Sequence, residues 1–417
     1  MSNLISIDQI QVGLYIHLDM HWMDHPFSFG SFKIKSEDQI RTIRQLGLKE
    51  VRYDPARSEV KSSPVAASPS PPQAQAEEPA PLDGSAMQAK LANVERLHRF
   101  RDAVARVEKN YLNAVNTVKN IQKNLSIRPR KTVAEAENFV AQLVEEFLAD
   151  TNVTIHAMGT KPGTEDTYYH TLNVAVLSLM VAKELDLPAG QAKLLGIGAL
   201  FHDIGLKDVP SRILLKTDPL TNSERNLREM HCEYGVKLGK PLGLPAEVID
   251  IILHHHELLD GTGYPQGLKG DEIGMLVRII AALNQYDNLC NPVNLGKSMT
   301  PHEALSYMFA QQRGKFDDRV MKILVRCLGV YPPGTLVMLS NDFVAMVMAV
   351  NSAKPLRPIL VVHDPHVPRE EAIVLDLQDE PDINISKAIR PAMLSQEILN
   401  YLSVRQRVSY YFDATTT

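Results

Sequence analysis

The sequence predicts a multidomain protein in which an all-α helical domain carries the chemistry. A small α/β module precedes this domain, and a small β-rich unit follows it. A stretch rich in Pro, Ala, Ser and Gln separates the first residues from the rest of the chain. Beyond it, apolar residues recur at the spacing of amphipathic helices, and after Gly329 short runs rich in β-branched residues are typical of strands.

The composition is that of a globular protein without a strong charge field. The chain has 417 residues, of which 44% are hydrophobic, and a net charge of -5 at pH 7. This length suffices for about two or three domains, and the charge gives no reason to expect a nucleic acid polymer as partner. The three cysteines lack CxxC spacing, so we expect free thiols and a cytoplasmic location. We expect no membrane span and no signal peptide.

Residues 1–56 are predicted to form the small α/β module. Strands are expected near Ile5 and over 14–18, followed by a helix over 37–46 and a closing strand over 50–53. We interpret Trp22, the single tryptophan, as a packed aromatic residue. A ligand or partner patch is the alternative for this residue.

Two segments connect this module to the helical domain. Residues 57–86 are predicted to be a disordered linker, since they lack hydrophobic periodicity. Residues 87–149 form a helical connector, with one long helix or a helix pair up to about 125 and another helix over 133–148. The first of these either packs on the next domain or dimerises, so a homodimer is one predicted assembly.

Residues 150–329 are predicted to be all-α, and residues 330–417 to be a β-rich unit with a late helix over 393–402 and a polar tail. Capping motifs open two of the helices at Thr221 and Thr300, and Pro245 opens a third. The other helices are expected over 167–185, 189–203, 272–289 and 316–328. Strands are expected over 334–339, 343–350, 359–363 and 372–377.

Three adjacent histidines, His254 to His256, end an apolar helical run and are followed at once by a Gly/Pro turn. Each imidazole has two ring nitrogens that need partners. Neighbouring residues on a helix point about 100° apart, so adjacent histidines rarely serve one ion. We therefore expect His255 and His256 to bind two different ions and His254 to face away.

Further candidate ligands lie on separate predicted helices. Asp166 and His170 share a helical face, His202-Asp203 ends a nearly all-apolar helix, and His231 lies within another helix. Burying the Asp203 carboxylate without a partner costs several kcal/mol, and a cation would compensate it. Mixed His and carboxylate ligands suit Fe, Mn, Zn or Ni. A carboxylate that bridges two ions is found in sites that activate water and hold a phosphate.

The order of these blocks resembles the HD-GYP family, which are HD-superfamily metal phosphohydrolases that hydrolyse cyclic di-GMP. The matching blocks are EDTYYH (165–170), FHDIG (201–205), His231 and HHELLDGTGYP (255–265). They cover roughly residues 150–329. The segment ILLKTDPLTNSE (213–224) resembles the part of the family between its HD motif and its middle histidine. The N-terminal module resembles the domain often found ahead of HD-GYP domains in bacterial proteins.

The resemblance implies two divalent ions, Fe or Mn, with Asp203 bridging them and with His202 and Asp203 as catalytic residues. Asp166 matches an extra carboxylate that recruits a third ion in some members. The implied ligands are His170, His202, Asp203, His231, His255, His256 and Asn284. The implied substrate-binding residues are Lys216, Gly261, Gly263, Tyr264 and Pro265. A metal-activated water would attack the phosphodiester and give pGpG or GMP.

The sequence also departs from the family pattern. Leu206 stands where the family has a phosphate-binding lysine. Asn284 stands where the family has a metal-ligating aspartate, and an amide is the weaker ligand because it carries no charge. Asp287 matches a second family aspartate. Residues 290–300 replace a segment whose arginine binds phosphates.

Three hypotheses about function follow. The first is a metal-dependent cyclic di-GMP phosphodiesterase, which we favour. The second is a weak or inactive domain that binds cyclic di-GMP and acts through a signalling protein partner. It rests on Leu206, Asn284 and the missing arginine. The third is an HD phosphohydrolase for another nucleotide, against which the GYP loop argues.

Overall fold

The computed structural model describes residues 3–20, 24–27, 29–59, 84–149, 154–159, 166–350, 354–404 and 408–413. Trp22 and most of the predicted linker lie outside the described residues. The chain divides into two units. The first contains Met1–Phe100, Ser340–Val344 and Val362–Val374, and the second contains Arg101–Leu339, Ala345–Val361 and Leu375–Thr417.

The N-terminal module is a four-stranded antiparallel sheet with one helix. The strands are β1 (Asn3–Ser6), β2 (Tyr15–His17), β3 (Ser31–Lys33) and β4 (Glu50–Tyr53), in the order β1-β4-β2-β3. Helix α1 (Glu37–Gln45) buries Ile40 and Ile43, and the Ser36 side chain caps its start by accepting a hydrogen bond from the Gln39 N–H. The predicted α/β character is confirmed, and β3 is a strand that the sequence pattern did not indicate.

Two helices follow the linker. Helix α2 (Gly84–Asn124) is a single long helix rather than a pair, and α3 is Pro129–Ala149. Their apolar positions pack into the same core as the later helices, with Val107, Val115, Val118 and Val140 buried.

The following nine helices form the body of the second unit. They are α4 (Asp166–Glu184), α5 (Ala189–Phe201), α6 (Ser211–Leu214), α7 (Asn222–Glu229), α8 (His231–Gly239), α9 (Ala246–His254), α10 (Met275–Cys290), α11 (Pro301–Gln311) and α12 (Asp318–Leu328). Capping boxes at Thr221 and Thr300 open α7 and α11, as predicted. Helix α10 begins three residues later than predicted, because residues 270–272 form a separate 3-10 turn.

The prediction that residues 150–329 contain no strand is wrong at one place. Strand β5 (Thr154–Gly159) pairs antiparallel with the last strand of the chain, Val408–Asp413, in a two-stranded sheet. The end of the chain is therefore not simply polar, since Tyr410, Tyr411 and Phe412 are buried. Residues 336–413 contain β6 (Leu336–Leu339), β7 (Val344–Ala349), β8 (Ile359–His363), β9 (Ile373–Asp376), β10 (Ile385–Ile389), α13 (Gln396–Tyr401) and β11 (Val408–Asp413).

The C-terminal β-rich unit is a five-stranded sheet in the order β10-β6-β7-β8-β9. This confirms the predicted fold class, in which a small α/β module precedes a helical domain in sequence and a small β-rich unit follows it. All three cysteines are free thiols, as expected. None of the helices in the described parts of the chain is both long and apolar enough to cross a membrane.

Gly205 sets how closely two elements of the helical unit approach. It lies in the 3-10 turn Ile204–Asp208 that follows α5, and this turn packs against α8. A Cβ at this position would lie 2.0 Å from the His231 carbonyl oxygen and 2.4 Å from the Gly235 nitrogen. The backbone of one element therefore contacts the backbone of the other, which only glycine permits.

We predict that Gly205→Ala lowers the free energy of unfolding by about 3 kcal/mol, because the clashing atoms belong to backbone and cannot move aside. Urea unfolding of the purified protein measures this. Gly190→Ala is the matched control, since nothing lies within 4 Å of its Cβ position, and we expect it to change stability by less than about 1 kcal/mol. Equal midpoints for the two variants would contradict the prediction.

Candidate metal centre

The Asp203 carboxylate is the centre of a cluster of imidazoles. Helix α5, whose second half is entirely buried, ends at Phe201, so that His202 and Asp203 follow directly from its last turn. Four Nε2 atoms surround the two carboxylate oxygens. Oδ1 lies 3.3 Å from His231 and 3.4 Å from His255. Oδ2 lies 3.5 Å from His202 and 3.7 Å from His170. Each oxygen therefore faces its own pair of imidazoles.

The other ring nitrogen of each of these histidines is held from outside the cluster. In three of them Nδ1 donates to the carbonyl oxygen three residues earlier, at 2.8 Å in His202–Ala199, 2.7 Å in His231–Arg228 and 3.0 Å in His255–Ile252. In the fourth, His170, Nδ1 lies 2.5 Å from Oδ2 of Asp287. A carbonyl oxygen only accepts, so Nδ1 carries the proton and Nε2 presents its lone pair to the cluster.

The Nε2 atoms also face one another across short gaps. They lie 3.2 Å apart in His170 and His202, and 3.1 Å apart in His231 and His255. Two lone pairs at this distance repel unless a cation lies between them. Among the described residues, ligand atoms converge in two groups, Asp203–His231–His255–His256 and His170–His202–Asp203. The donor set therefore fits two metal ions that share one carboxylate.

The electrostatics of the cluster favour deprotonated ligands. Burial lowers the pKa of His202 to about 3 and lowers the pKa of His255 and His256 as well. Burial would raise the pKa of Asp203, but the surrounding imidazoles hold that pKa well below its usual value. Metal ions bind neutral imidazoles and ionised carboxylates, so protons compete little for these ligands.

His170 differs from the other ligands because its second nitrogen faces a charge. Burial would lower its pKa, but the hydrogen bond to Asp287 and the charges of Asp287 and Asp203 outweigh burial and raise the pKa. Asp287 is itself buried, and it also accepts hydrogen bonds from the side-chain amides of Asn173 and Asn291. A carboxylate behind a metal-binding histidine fixes the ring and its tautomer.

The expected assignment of His255 and His256 to two different ions disagrees with this geometry. Both rings fall in the group that contains Asp203 and His231. Helix α9 ends at His254, so His255 is its C-cap and His256 lies beyond it, where the helical angle between neighbours no longer applies. His254 faces away as predicted, with Nδ1 2.7 Å from Oδ1 of Asp250.

Two further metal ligands were predicted, Asp166 and Asn284. The side chain of Asp166 lies outside what the structure describes, and its role as a ligand stays a prediction. Asn284 is buried, and its Oδ1 accepts a hydrogen bond from Asn288 at 2.7 Å. Burial would lower the pKa of His170, and the amide of Asn284 is among the groups that raise it, after the charges of Asp287 and Asp203. Asn284 therefore lies close to His170, and its role as a metal ligand stays a prediction.

The GYP loop, residues 261–265, lies against the histidine cluster. The Tyr264 ring stacks on the His256 ring with centroids 4.5 Å apart, and the Tyr264–Pro265 peptide bond is cis. A Cβ at Gly263 would lie 2.4 Å from the Leu258 nitrogen and 2.5 Å from the His256 carbonyl oxygen. Gly261 has a φ of +78°, which glycine adopts without strain. The two glycines thus let the loop fold back onto the end of the histidine run.

Glu257 fixes the backbone directly after this loop, a role that was not predicted from the sequence. Its buried carboxylate accepts three backbone N–H bonds, from Gln266 at 2.6 Å, Gly267 at 3.1 Å and Leu268 at 3.0 Å. The position of an acidic residue between a histidine run and a glycine turn could have indicated this role, because a carboxylate readily accepts hydrogen bonds from several N–H groups of a tight turn.

Three lysines of the helical unit are engaged with other groups of the chain. Lys216, a predicted substrate-binding residue, lies 2.6 Å from Oε2 of Glu224, whose pKa this contact lowers to about 2. Lys207 donates to Oγ of Ser126 at 2.9 Å. It therefore does not take the place of the family lysine whose position Leu206 occupies. Lys315 lies 2.8 Å from Oγ1 of Thr262 in the GYP loop.

We predict that Asp287→Asn weakens binding of the ion at His170 and His202 about 10-fold to 100-fold. The amides of Asn173 and Asn291 require an oxygen at this position, so the new NH₂ group faces Nδ1 of His170. The His170 proton then moves to Nε2 and removes the ligand lone pair. Metal content after dialysis measures the loss. Asp250→Asn alters the carboxylate beside His254, which lies outside both groups, and should keep wild-type content. Equal metal content in both variants would contradict the prediction.

The chain matches known domain families along most of its length. Residues 142–320 match the HD domain, residues 2–136 match a domain of unknown function (DUF3391), and residues 336–397 match a KOW domain associated with HD domain. The HD match contains every histidine and carboxylate of the two ligand groups.

The chain is also similar to individual proteins, some over most of its length and others over less than half of it. A cyclic di-GMP phosphodiesterase of Pseudomonas aeruginosa is 30% identical over 373 residues, which is 86% of this chain and 84% of that protein. The 3′3′-cGAMP-specific phosphodiesterase 1 of Vibrio cholerae is 31% identical over 184 residues, 44% of this chain and 42% of that protein. An HDGYP protein from Bdellovibrio bacteriovorus aligns with a TM-score of 0.44 and 15% identity, covering 78% of this chain and 98% of that chain.

The first of these relatives extends over nearly the whole chain, and the matched blocks carry the ligand residues described above. The chain therefore belongs to the HD-GYP family of HD-domain proteins.

Proposed function

We propose that this protein is a metal-dependent phosphodiesterase that hydrolyses cyclic di-GMP to pGpG or GMP in bacterial second-messenger signalling in the cytoplasm. The observation that carries the proposal is the Asp203 carboxylate, which is only 15% exposed and each of whose oxygens faces its own pair of imidazole Nε2 atoms. The Pseudomonas relative, which covers most of this chain, is described as a cyclic di-GMP phosphodiesterase and supports the same substrate.

Two divalent ions, Fe or Mn, fit the two ligand groups. His170, His202 and Asp203 would hold one ion, and Asp203, His231, His255 and His256 would hold the other. Asn284 remains a proposed weaker ligand and Asp166 a proposed ligand of a third ion. When bound, such ions lower the pKa of water and stabilise negative charge on phosphate oxygens.

The chain's own residues prepare this site before any substrate arrives. The Nδ1 hydrogen bonds orient the imidazoles, and burial keeps His202, His255 and His256 neutral. A preorganised set of ligands avoids the free-energy cost of ordering side chains during the reaction. Tyr264, held on His256 by the GYP loop, forms one wall beside the ligands.

The substrate phosphates must be held with fewer cations than the family pattern provides. We propose that Lys216 keeps its predicted role, because its side chain remains 27% exposed beside Glu224. Lys315, which is tied to Thr262 and lies 3.3 Å from Asp260, adds positive charge at the GYP loop. The glycines and Pro265 would shape the approach of the substrate.

The experiment that tests this proposal is hydrolysis of cyclic di-GMP by the purified, metal-loaded full chain, with 3′3′-cGAMP as the alternative substrate. We expect cyclic di-GMP to be converted, and we expect His202→Ala and Asp203→Ala each to lower the rate at least about 100-fold. A chelator should abolish the activity. His302→Ala is the matched control, because its Nδ1 also donates to a carbonyl, that of Val330, although it lies outside both ligand groups.

The outcomes separate the hypotheses. Wild-type protein that contains metal and yields no product above the Asp203→Ala background would contradict the proposal. Tight binding of cyclic di-GMP without turnover would instead support the receptor hypothesis. Faster turnover of 3′3′-cGAMP than of cyclic di-GMP would contradict the proposed substrate and leave the reaction class in place.

A further inference from the structure

The last strand of the chain reaches the metal centre through a line of hydrogen bonds. The backbone N–H of Tyr410 in β11 donates to Oδ1 of Asn173 at 2.7 Å. The Asn173 amide then donates to Oδ1 of Asp287, whose Oδ2 lies 2.5 Å from Nδ1 of His170. Tyr410 and Asn173 are 237 positions apart in the sequence, and Asn173 and Asp287 are 114 positions apart. The line therefore joins distant parts of the second unit.

The first two links in this line are shielded from water. Asn173, Asp287 and Tyr410 are each 1% exposed. A buried amide that loses its partner cannot turn to solvent instead, and the loss of one partner leaves the other unsatisfied. Asn173 uses its oxygen toward β11 and its nitrogen toward Asp287, so its orientation is set from both sides.

Strand β11 is itself fixed in place by other contacts. It pairs with β5 over six residues, from Val408 opposite Gly159 to Asp413 opposite Thr154. The Tyr410 hydroxyl oxygen lies 2.9 Å from the Tyr286 hydroxyl oxygen in α10. The centroids of the Phe412 and Phe147 rings are 4.1 Å apart. The strand can therefore transmit its position to Asn173.

Only one of the two ligand groups depends on this line. His202, His231 and His255 take their orientation from carbonyls three residues earlier in their own segments. His170 alone of the four takes its orientation from a side chain on another helix. Moving β11 should thus loosen His170 and leave the group around His231 and His255 intact.

We propose that β11 is a positioning element of the metal centre, with Asn173 and the Tyr410 N–H as the positioning residues that set His170 through Asp287. The proposal rests on the proposed binding of two ions, but it requires no particular substrate. It extends the functional unit beyond the HD match at 142–320 and the KOW match at 336–397 to the last strand of the chain.

The test is titration of the metal-free full chain with Co²⁺, followed by its absorption spectrum and by metal content per chain. Asn173→Leu has a similar volume and removes both amide bonds. We expect one of the two Co²⁺ ions to bind about 10-fold to 100-fold more weakly and the other to bind as in wild type. Tyr410→Phe keeps the backbone N–H and removes only the hydroxyl, so we expect both affinities within about twofold of wild type.

Tyr410→Pro is the second variant, because proline has no N–H to donate to Asn173. Because this change also removes the buried Tyr410 ring, Tyr410→Ala is its matched control, which loses the ring and keeps the N–H. We expect one ion to bind about 10-fold to 100-fold more weakly to Tyr410→Pro than to Tyr410→Ala. Asn173→Leu protein that keeps both affinities, or loses both together, would overturn the proposal. So would Tyr410→Phe protein that loses an ion as Asn173→Leu does. Because the readout is bound Co²⁺, wild type that binds two ions without hydrolysing cyclic di-GMP would contradict the proposed activity alone.

Discussion

The constraint on which the rest of the helical unit depends is the Asp203 carboxylate, which is largely withdrawn from water, with 15% of the side chain exposed. A carboxylate at the end of a buried helix is unfavourable unless opposite charge or hydrogen bonds compensate it. Here burial lowers the pKa of His202 and His255 and so disfavours their positive charge, which a bound cation would supply instead. The surrounding helices are arranged so that α4, α8 and the C-terminal end of α9 each place an imidazole beside this carboxylate.

The ligand side chains are oriented both by interactions within a few residues and by interactions between distant segments. Three histidines are oriented by carbonyls of their own turns, which is a local property of the chain. The contact of Gly205 with the backbone of α8 brings Asp203 and His231 together. Glu257 fixes the backbone directly after the GYP loop through three hydrogen bonds, from the N–H groups of residues 266–268. His170 alone requires partners from distant segments.

The division between local and distant interactions explains what the sequence could predict. The fold class, the capped starts of α7 and α11 and the outward-facing His254 follow from patterns within a few residues, and the structure confirms them. The pairing of β5 with β11 could not be predicted, because neither short segment indicates its partner across roughly 250 residues of chain. The separate assignment of His255 and His256 failed because it assumed that α9 continues past His254. The boundaries of the predicted domains and the roles of Lys216 and Asp166 remain predictions.

We infer that two metal ions, when bound, would share the Asp203 carboxylate. Anomalous diffraction from crystals of the Mn-loaded protein, measured at a wavelength where Mn scatters strongly, tests it most directly. We expect two peaks about 3.5–4 Å apart, one near Oδ1 of Asp203, His231 and His255, and the other near Oδ2 of Asp203, His170 and His202. A single peak, or two peaks of which one lacks an Asp203 oxygen as ligand, would contradict it.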